Sequence, residues 1–186
     1  MRPRTVPSFY TFSQMILLCQ SPDPDSATGC RDRAILALLC SAGLRASELC
    51  GLRVRDLKAD RLFVHRGKFR HQRWVPISRP ASRALHRYLV EHPPADRLGP
   101  VFRCVNGRGL TRRRLHKIVT GYSRPLGLEG GVHVLRSSAA TRWLDQGVSL
   151  FHVQQALGHV RIATTARYLG AEVDGLVAAF RRCSVA

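Results

Sequence analysis

Lysine is almost missing from this chain of 186 residues. Lys58, Lys68 and Lys117 are the only three, so arginine supplies nearly all of the thirty basic side chains. Acidic residues are also few, at twelve, and the formal net charge is +18. A neutral partner does not call for such an excess; a polyphosphate backbone explains it, with an arginine bias in the source genome as the alternative. No two of the six cysteines form a C-x-x-C pair. Cys19, Cys30, Cys40 and Cys50 stand ten or eleven residues apart in apolar helical contexts, with Cys104 and Cys183 further on. They read as reduced core thiols, which excludes a disulfide frame and a zinc site. No apolar run approaches the length of a membrane span. The first ten residues lead into no signal-peptide core with a cleavage site. There is no internal repeat and no low-complexity tract. These absences predict a cytoplasmic protein away from the membrane.

What is present is enough apolar residue, 45%, for one packed core. Residues 1–10, rich in Pro and Arg, read as an extended lead-in. Thr11 opens a short helix to about Cys19, with Gln14 in the capping-box place. Ala27 to about Ser41, containing the run Ile35 to Cys40, reads as a buried helix ended by Gly43. Ala46 to Cys50 adds a helical turn or two. Then the period changes. Arg61 to Arg66 and Gln72 to Ile77 are β-rich runs around Gly67-Lys68-Phe69-Arg70-His71, a hairpin with a basic tip. Helix returns from Ser78 to about Val90, and Val101-Phe102 reads as a brief strand. Thr111 caps a basic helix to about Tyr122. A helix from Val132 to about Gln146 ends at Gly147, and Ser149 caps the next, which Gly158 stops. A helical turn at Ile162 to Tyr168 and an amphipathic helix at Val173 to Arg182 complete the reading. The expected class is mainly α with a small antiparallel β-hairpin.

Five short segments carry chemistry. Arg45 follows the glycine that ends the buried helix, with Glu48 three residues on to orient it in a cleft; a surface Arg-Glu pair is the other reading. Lys68 sits at the hairpin tip, where a solvated lysine is the ordinary expectation. His133 and Arg136 share one face of a helix start and suit a phosphate, since both donate to anionic oxygen and the helix end is positive; an N-terminal cap and a surface arginine fit as well. His159 follows Gly158, and Tyr168 comes nine residues later. A free phenol has a pKa of about 10 and is a poor nucleophile at neutral pH unless cations or a base act on it. A half-buried structural tyrosine is the alternative.

Taken in order, these segments resemble the tyrosine recombinase (phage integrase) family. The motifs are Gly43-Leu44-Arg45-Ala46-Ser47-Glu48-Leu49, Gly67-Lys68 with Arg73-Trp74-Val75-Pro76, His133-Val134-Leu135-Arg136, and Leu157-Gly158-His159 with Tyr168. The similarity runs from about Thr11 to Tyr168. Arg31-Asp32-Arg33-Ala34 and Ala163-Thr164-Thr165 fit the same pattern.

The resemblance implies a site-specific DNA recombinase that cleaves and rejoins double-stranded DNA through a 3′-phosphotyrosyl intermediate, without ATP. It implies that Arg45, Arg136 and His159 hold the scissile phosphate. It further implies that His133 assists proton removal from Tyr168, that Lys68 protonates the departing 5′-oxygen, and that Tyr168 attacks. The resemblance implies no metal and no cofactor, since arginines would supply the charge that metals supply elsewhere in phosphoryl transfer. The catalytic domain would span residues 11–170, and residues 171–186 would form a tail able to contact a neighbouring protomer in a homo-tetramer on DNA. The sequence departs from the family at Ser137, where many relatives have a second histidine, and only residues 1–10 precede the catalytic region where the family usually has a core-binding domain, as expected of a naturally short member, a fragment or a remnant. A non-catalytic DNA-binding remnant or regulator and a type IB topoisomerase-like enzyme are the alternatives.

Overall fold

The computed structural model describes residues 9–65 and 72–158. Among these residues the chain forms seven helices and one two-stranded antiparallel sheet. Lys68, His159, Tyr168, Cys183 and the elements expected after residue 158 lie outside the described residues.

Helix α1 (Phe12–Gln20) starts where its capping box directs: the Thr11 hydroxyl accepts from the Gln14 amide and the Gln14 side chain accepts from the Thr11 amide. Tyr10, just before it, is buried; its amide donates to Ser138 Oγ and its hydroxyl to the Glu129 carbonyl. Helix α2 (Ala27–Ala42) is the central element and packs against α1, the sheet and two later helices. Ile35, Leu36, Leu38 and Leu39 are at most 1% exposed, and burial of each such side chain stabilises the fold by about 1.5–3 kcal/mol. Such all-round burial is what an uninterrupted apolar run demands. Gly43 ends α2 at φ 56°, in the left-handed region.

Helix α3 (Ala46–Cys50) follows at once, and α2 and α3 together set Arg45 between them. Strands β1 (Arg61–Val64) and β2 (Arg73–Pro76) pair with Leu62 opposite Val75 and Val64 opposite Arg73. Side chains alternate along a strand, so Leu62, Val64, Val75 and Arg73 share one face. Phe63 and Trp74 meet on the other, their rings 5.0 Å apart. Helix α4 (Arg79–Glu91), capped by Ser78, covers α2. Helix α5 (Arg112–Ser123), capped by Thr111, packs on α3 and shows Arg112, Arg113 and Lys117 to solvent.

The expected strand at Val101-Phe102 does not form. Both residues are buried, but no neighbouring strand continues the pairing: the Val101 amide donates to the Leu52 carbonyl, and the Phe102 carbonyl accepts from Leu110. Isolated bridges flank them at Arg53–Pro100 and Arg103–Gly109. Pro100 has no N–H to extend a ladder.

Helix α6 (Val132–Asp145) crosses α2, and α7 (Leu150–Leu157) packs on α6 and on β2. Ala140, Val153 and Leu157 form their own small core with Trp143 and Leu144. Gly158 ends α7 at φ 64°. The five described cysteines are free thiols, and no helix among the described residues is long and apolar enough to cross a membrane.

Candidate active site

The last carbonyls of α7 have no partner within their own helix. Three arginines, from three different elements, supply one. Arg136 of α6 donates from Nη2 to the Leu157 carbonyl at 2.6 Å and from Nη1 to the Gly43 carbonyl at 2.7 Å. Arg45 donates to the Leu157 and Gly158 carbonyls, both at 3.3 Å. Arg73 of β2 donates from Nε to the Ala156 carbonyl at 2.6 Å.

Glu48 of α3 stands among the same arginines with a side chain fully shielded from solvent. Arg73 grips it with two parallel bonds, Nη1 to Oε1 at 3.1 Å and Nη2 to Oε2 at 3.0 Å. Arg45 contributes its amide at 2.9 Å and Nη1 at 2.8 Å. Arg136 Nη1 lies 3.8 Å away. The reading of Arg45 and Glu48 as a surface pair is therefore overturned.

Burial pushes the Glu48 carboxyl up. The Arg73 guanidinium and then the Arg45 amide and side chain outweigh it and hold Glu48 below the ordinary carboxylate value. Asp32 makes the contrast. It is also buried beside an arginine, Arg31, at 2.7 Å. There burial wins over Arg31 and the Tyr122 hydroxyl, and the Asp32 carboxyl is raised. One guanidinium does not offset desolvation; a bidentate guanidinium joined by a second arginine does.

Among the described residues the cluster holds three guanidinium charges against one carboxylate. The α7 C-terminus adds roughly half a negative charge. Among these described groups a positive surplus of about one and a half charges remains beside a helix end. Arg45 is the guanidinium that solvent reaches, its side chain 22% exposed against 9% for Arg73 and 5% for Arg136. An anion arriving from solvent meets Arg45 first, with the other two held behind it.

Of the six residues expected to act, the structure brings Arg45 and Arg136 onto one shared carbonyl. His133 is exposed in the first turn of α6, one turn before Arg136. Gly131 starts that helix with no side-chain cap. Ser137 Oγ donates to the His133 carbonyl at 3.1 Å, a bond within the helix. Lys68, His159 and Tyr168 fall outside the described residues, Lys68 between β1 and β2 and His159 directly after Gly158.

Arg73 belongs to a sequence motif, yet no role for it was expected. Its signal lay in the strand period: Arg73 and Val75 share a face, and Val75 is wholly buried. A charge at an inward strand position needs a partner. Gly158 has a second reason to be glycine beyond its φ, since a Cβ there would lie 2.9 Å from Arg73 Nη1.

The chain is 36% identical over 194 residues to the tyrosine recombinase XerC of Syntrophus aciditrophicus (strain SB), covering 97% of this chain and 63% of that protein. It is 37% identical over 184 residues to the tyrosine recombinase XerD of Lacticaseibacillus casei, covering 95% and 63%. The chain thus spans somewhat under two thirds of the length of these relatives. The fold matches the XerA recombinase with a TM-score of 0.82 at 23% identity, covering 100% of this chain and 66% of that one. It matches the Tn1549 transposon integrase in complex with transposon right end DNA with a TM-score of 0.81 at 19% identity, covering 98% and 68%. The phage integrase family profile matches residues 8–173, and the chain belongs to that family.

Proposed function

We propose that this chain is the catalytic part of a site-specific DNA recombinase, which breaks and rejoins double-stranded DNA through a phosphotyrosyl link. The observation that carries this reading is the convergence of Arg45 and Arg136 on the Leu157 carbonyl around buried Glu48. These guanidiniums are already held by protein acceptors, and preorganised donors are worth most where charge develops in a water-poor site.

In this reading Arg45 and Arg136 hold the non-bridging oxygens of the scissile phosphate, with His159 donating to the same group. Tyr168 Oη attacks phosphorus as the bond to the 5′-oxygen breaks. His133 assists removal of the phenolic proton, and Lys68 delivers a proton to the departing oxygen. The phosphotyrosyl ester keeps the energy of the phosphodiester, so a new 5′-hydroxyl reverses the step without ATP. The catalytic unit spans residues 11–170, and the tail at 171–186 contacts a second copy in a tetramer on DNA. Exposed Arg112, Arg113 and Lys117 on α5 supply backbone contacts that position the duplex without reading its sequence.

The test is covalent capture. The chain is incubated with nicked suicide duplexes selected by the protein from a pool of randomised sequence. A protein-DNA adduct that Tyr168→Phe abolishes is the expected result. No adduct on any selected duplex, with binding intact, would leave a DNA-binding protein without strand transfer. Sedimentation of the adduct reads the number of copies on DNA.

A further inference from the structure

Arg73 is turned away from the solvent that delivers a substrate. Its side chain is 9% exposed, against 22% for Arg45. Its three nitrogens each donate to a protein acceptor: Nε to the Ala156 carbonyl at 2.6 Å, Nη1 to Glu48 Oε1 at 3.1 Å and Nη2 to Glu48 Oε2 at 3.0 Å. Arg73 is therefore placed to act on its neighbours in the cluster rather than on an incoming anion.

The Glu48 carboxylate links Arg73 to Arg45. Oε1 accepts from Nη1 of both arginines, and Oε2 accepts from Arg73 Nη2 and from the Arg45 amide. Two parallel bonds to a guanidinium fix the plane of a carboxylate. Arg73 thus sets the direction from which Oε1 holds Arg45 Nη1. A lysine at position 73 donates from a single nitrogen and leaves the carboxylate free to turn.

Arg45 has a second support, the Leu157 and Gly158 carbonyls at the end of α7. Glu48 lies three residues from Arg45 at the start of α3, so that pairing is local to α3. The end of α7 comes from far along the chain. Arg73 is the side chain that bonds to both supports, to Glu48 through its fork and to α7 through Nε. It fixes the separation of the two elements between which the Arg45 guanidinium is held.

We propose that Arg73 is a positioning residue for phosphate binding: it locks Glu48 to the end of α7 and so fixes the aim of Arg45 at the scissile phosphate. This rests on the function proposed above. It goes beyond it by giving an unassigned residue, one that touches no substrate, a part in the reaction that runs through Arg45.

A double-mutant cycle tests the proposal. Rates of adduct formation at saturating suicide duplex are measured for the wild type, Arg73→Lys, Arg45→Lys and the double variant. Arg73→Lys is expected to slow the step about 10- to 100-fold, the loss that a misplacement of about 1 Å produces. Once Arg45 is changed its aim no longer counts, so the double variant is expected within about threefold of Arg45→Lys alone, as for residues that act as one unit. Loss through destabilisation multiplies instead. Arg31→Lys, which disturbs a buried ion pair away from the cluster, controls for it and is expected to slow the wild type and Arg45→Lys by the same factor. Melting temperatures are taken for all variants. If Arg73→Lys is unfolded at the assay temperature, Glu48→Gln is compared with the double variant Glu48→Gln, Arg73→Gln. Glu48→Gln is then expected to slow the step about 10- to 100-fold. With no carboxylate to pass on the hold, the second change is expected to add less than about threefold. Multiplied losses in either cycle, or an unchanged rate in the first variant of either, overturn the proposal, while the wild-type adduct keeps the enzyme reading intact. Failure of the wild type to form any adduct overturns both.

Discussion

Replacing Glu48 by glutamine keeps the shape of the side chain and removes the carboxylate that ties Arg73 and Arg45 together. In the wild type the two oxygens accept four N–H groups, from the Arg45 amide, Arg45 Nη1, Arg73 Nη1 and Arg73 Nη2. A glutamine offers one acceptor oxygen and turns an NH2 toward donors. Arg73, 9% exposed, is then a buried cation that has lost the carboxylate it grips with two bonds. Breaking a buried pair on one side costs about 3–5 kcal/mol. Arg45 is 22% exposed and keeps part of its hydration, which favours the lower end, about 3 kcal/mol. For a chain of this size that is a fall in Tm of roughly 6–12 °C. The sign with pH follows from the depressed Glu48 carboxyl. A lowered folded pKa gives stability that is fully present above the unfolded value, about 4.3, and is lost as pH falls through the folded value. The gap in Tm between wild type and Glu48→Gln is therefore full at pH 6–7 and closes as pH falls from about 4.3 downward. Thermal melts followed by circular dichroism at constant ionic strength measure it. An unchanged Tm at pH 7, or a gap that does not narrow in acid, would refute the account of Glu48 as the anion that holds the cluster.

Arg45→Lys and Arg136→Lys keep the charge and lose the fork; each should lower the rate of adduct formation by about 10²–10³, read in the suicide-duplex assay, with DNA affinity falling far less. Gly158→Ala should destabilise the fold more than Gly107→Ala: both sites have positive φ, but a Cβ at Gly158 meets Arg73 while one at Gly107 meets nothing within 4 Å. Paired thermal melts isolate the clash from the backbone strain. Replacing Arg112, Arg113 and Lys117 of α5 by glutamine should flatten the dependence of log K on log salt by about one unit for each phosphate that these side chains neutralise; an unchanged slope would move the DNA-binding surface to another face.

The local devices were legible because a few adjacent residues settle them. Thr11 with Gln14, Ser78, Thr111 and Ser149 start their helices, and Gly43 and Gly158 end theirs, each through bonds within a turn. The hairpin was legible from its period. Val101-Phe102 misled because burial and β-type composition are shared by strands and by buried bends; a partner strand, which no local pattern supplies, decides between them. At the site, residue types and order pointed to Arg45 and Arg136, but not to how they meet.

By itself the sequence determined the chemistry on offer: an arginine-rich chain, two arginines in recognisable settings, a lysine at a turn and a tyrosine after a Gly-His pair. Only the tertiary structure decided that Glu48 is buried rather than a surface partner of Arg45, and that Arg73 is its strongest tie. The physical reason is distance along the chain. Arg73 lies 25 residues from Glu48, and Arg45 lies 112 from the Leu157 carbonyl. That carbonyl is a backbone group like any other until the end of α7 leaves it without a partner and the packing of α2, α3, α6 and β2 brings the guanidiniums to it.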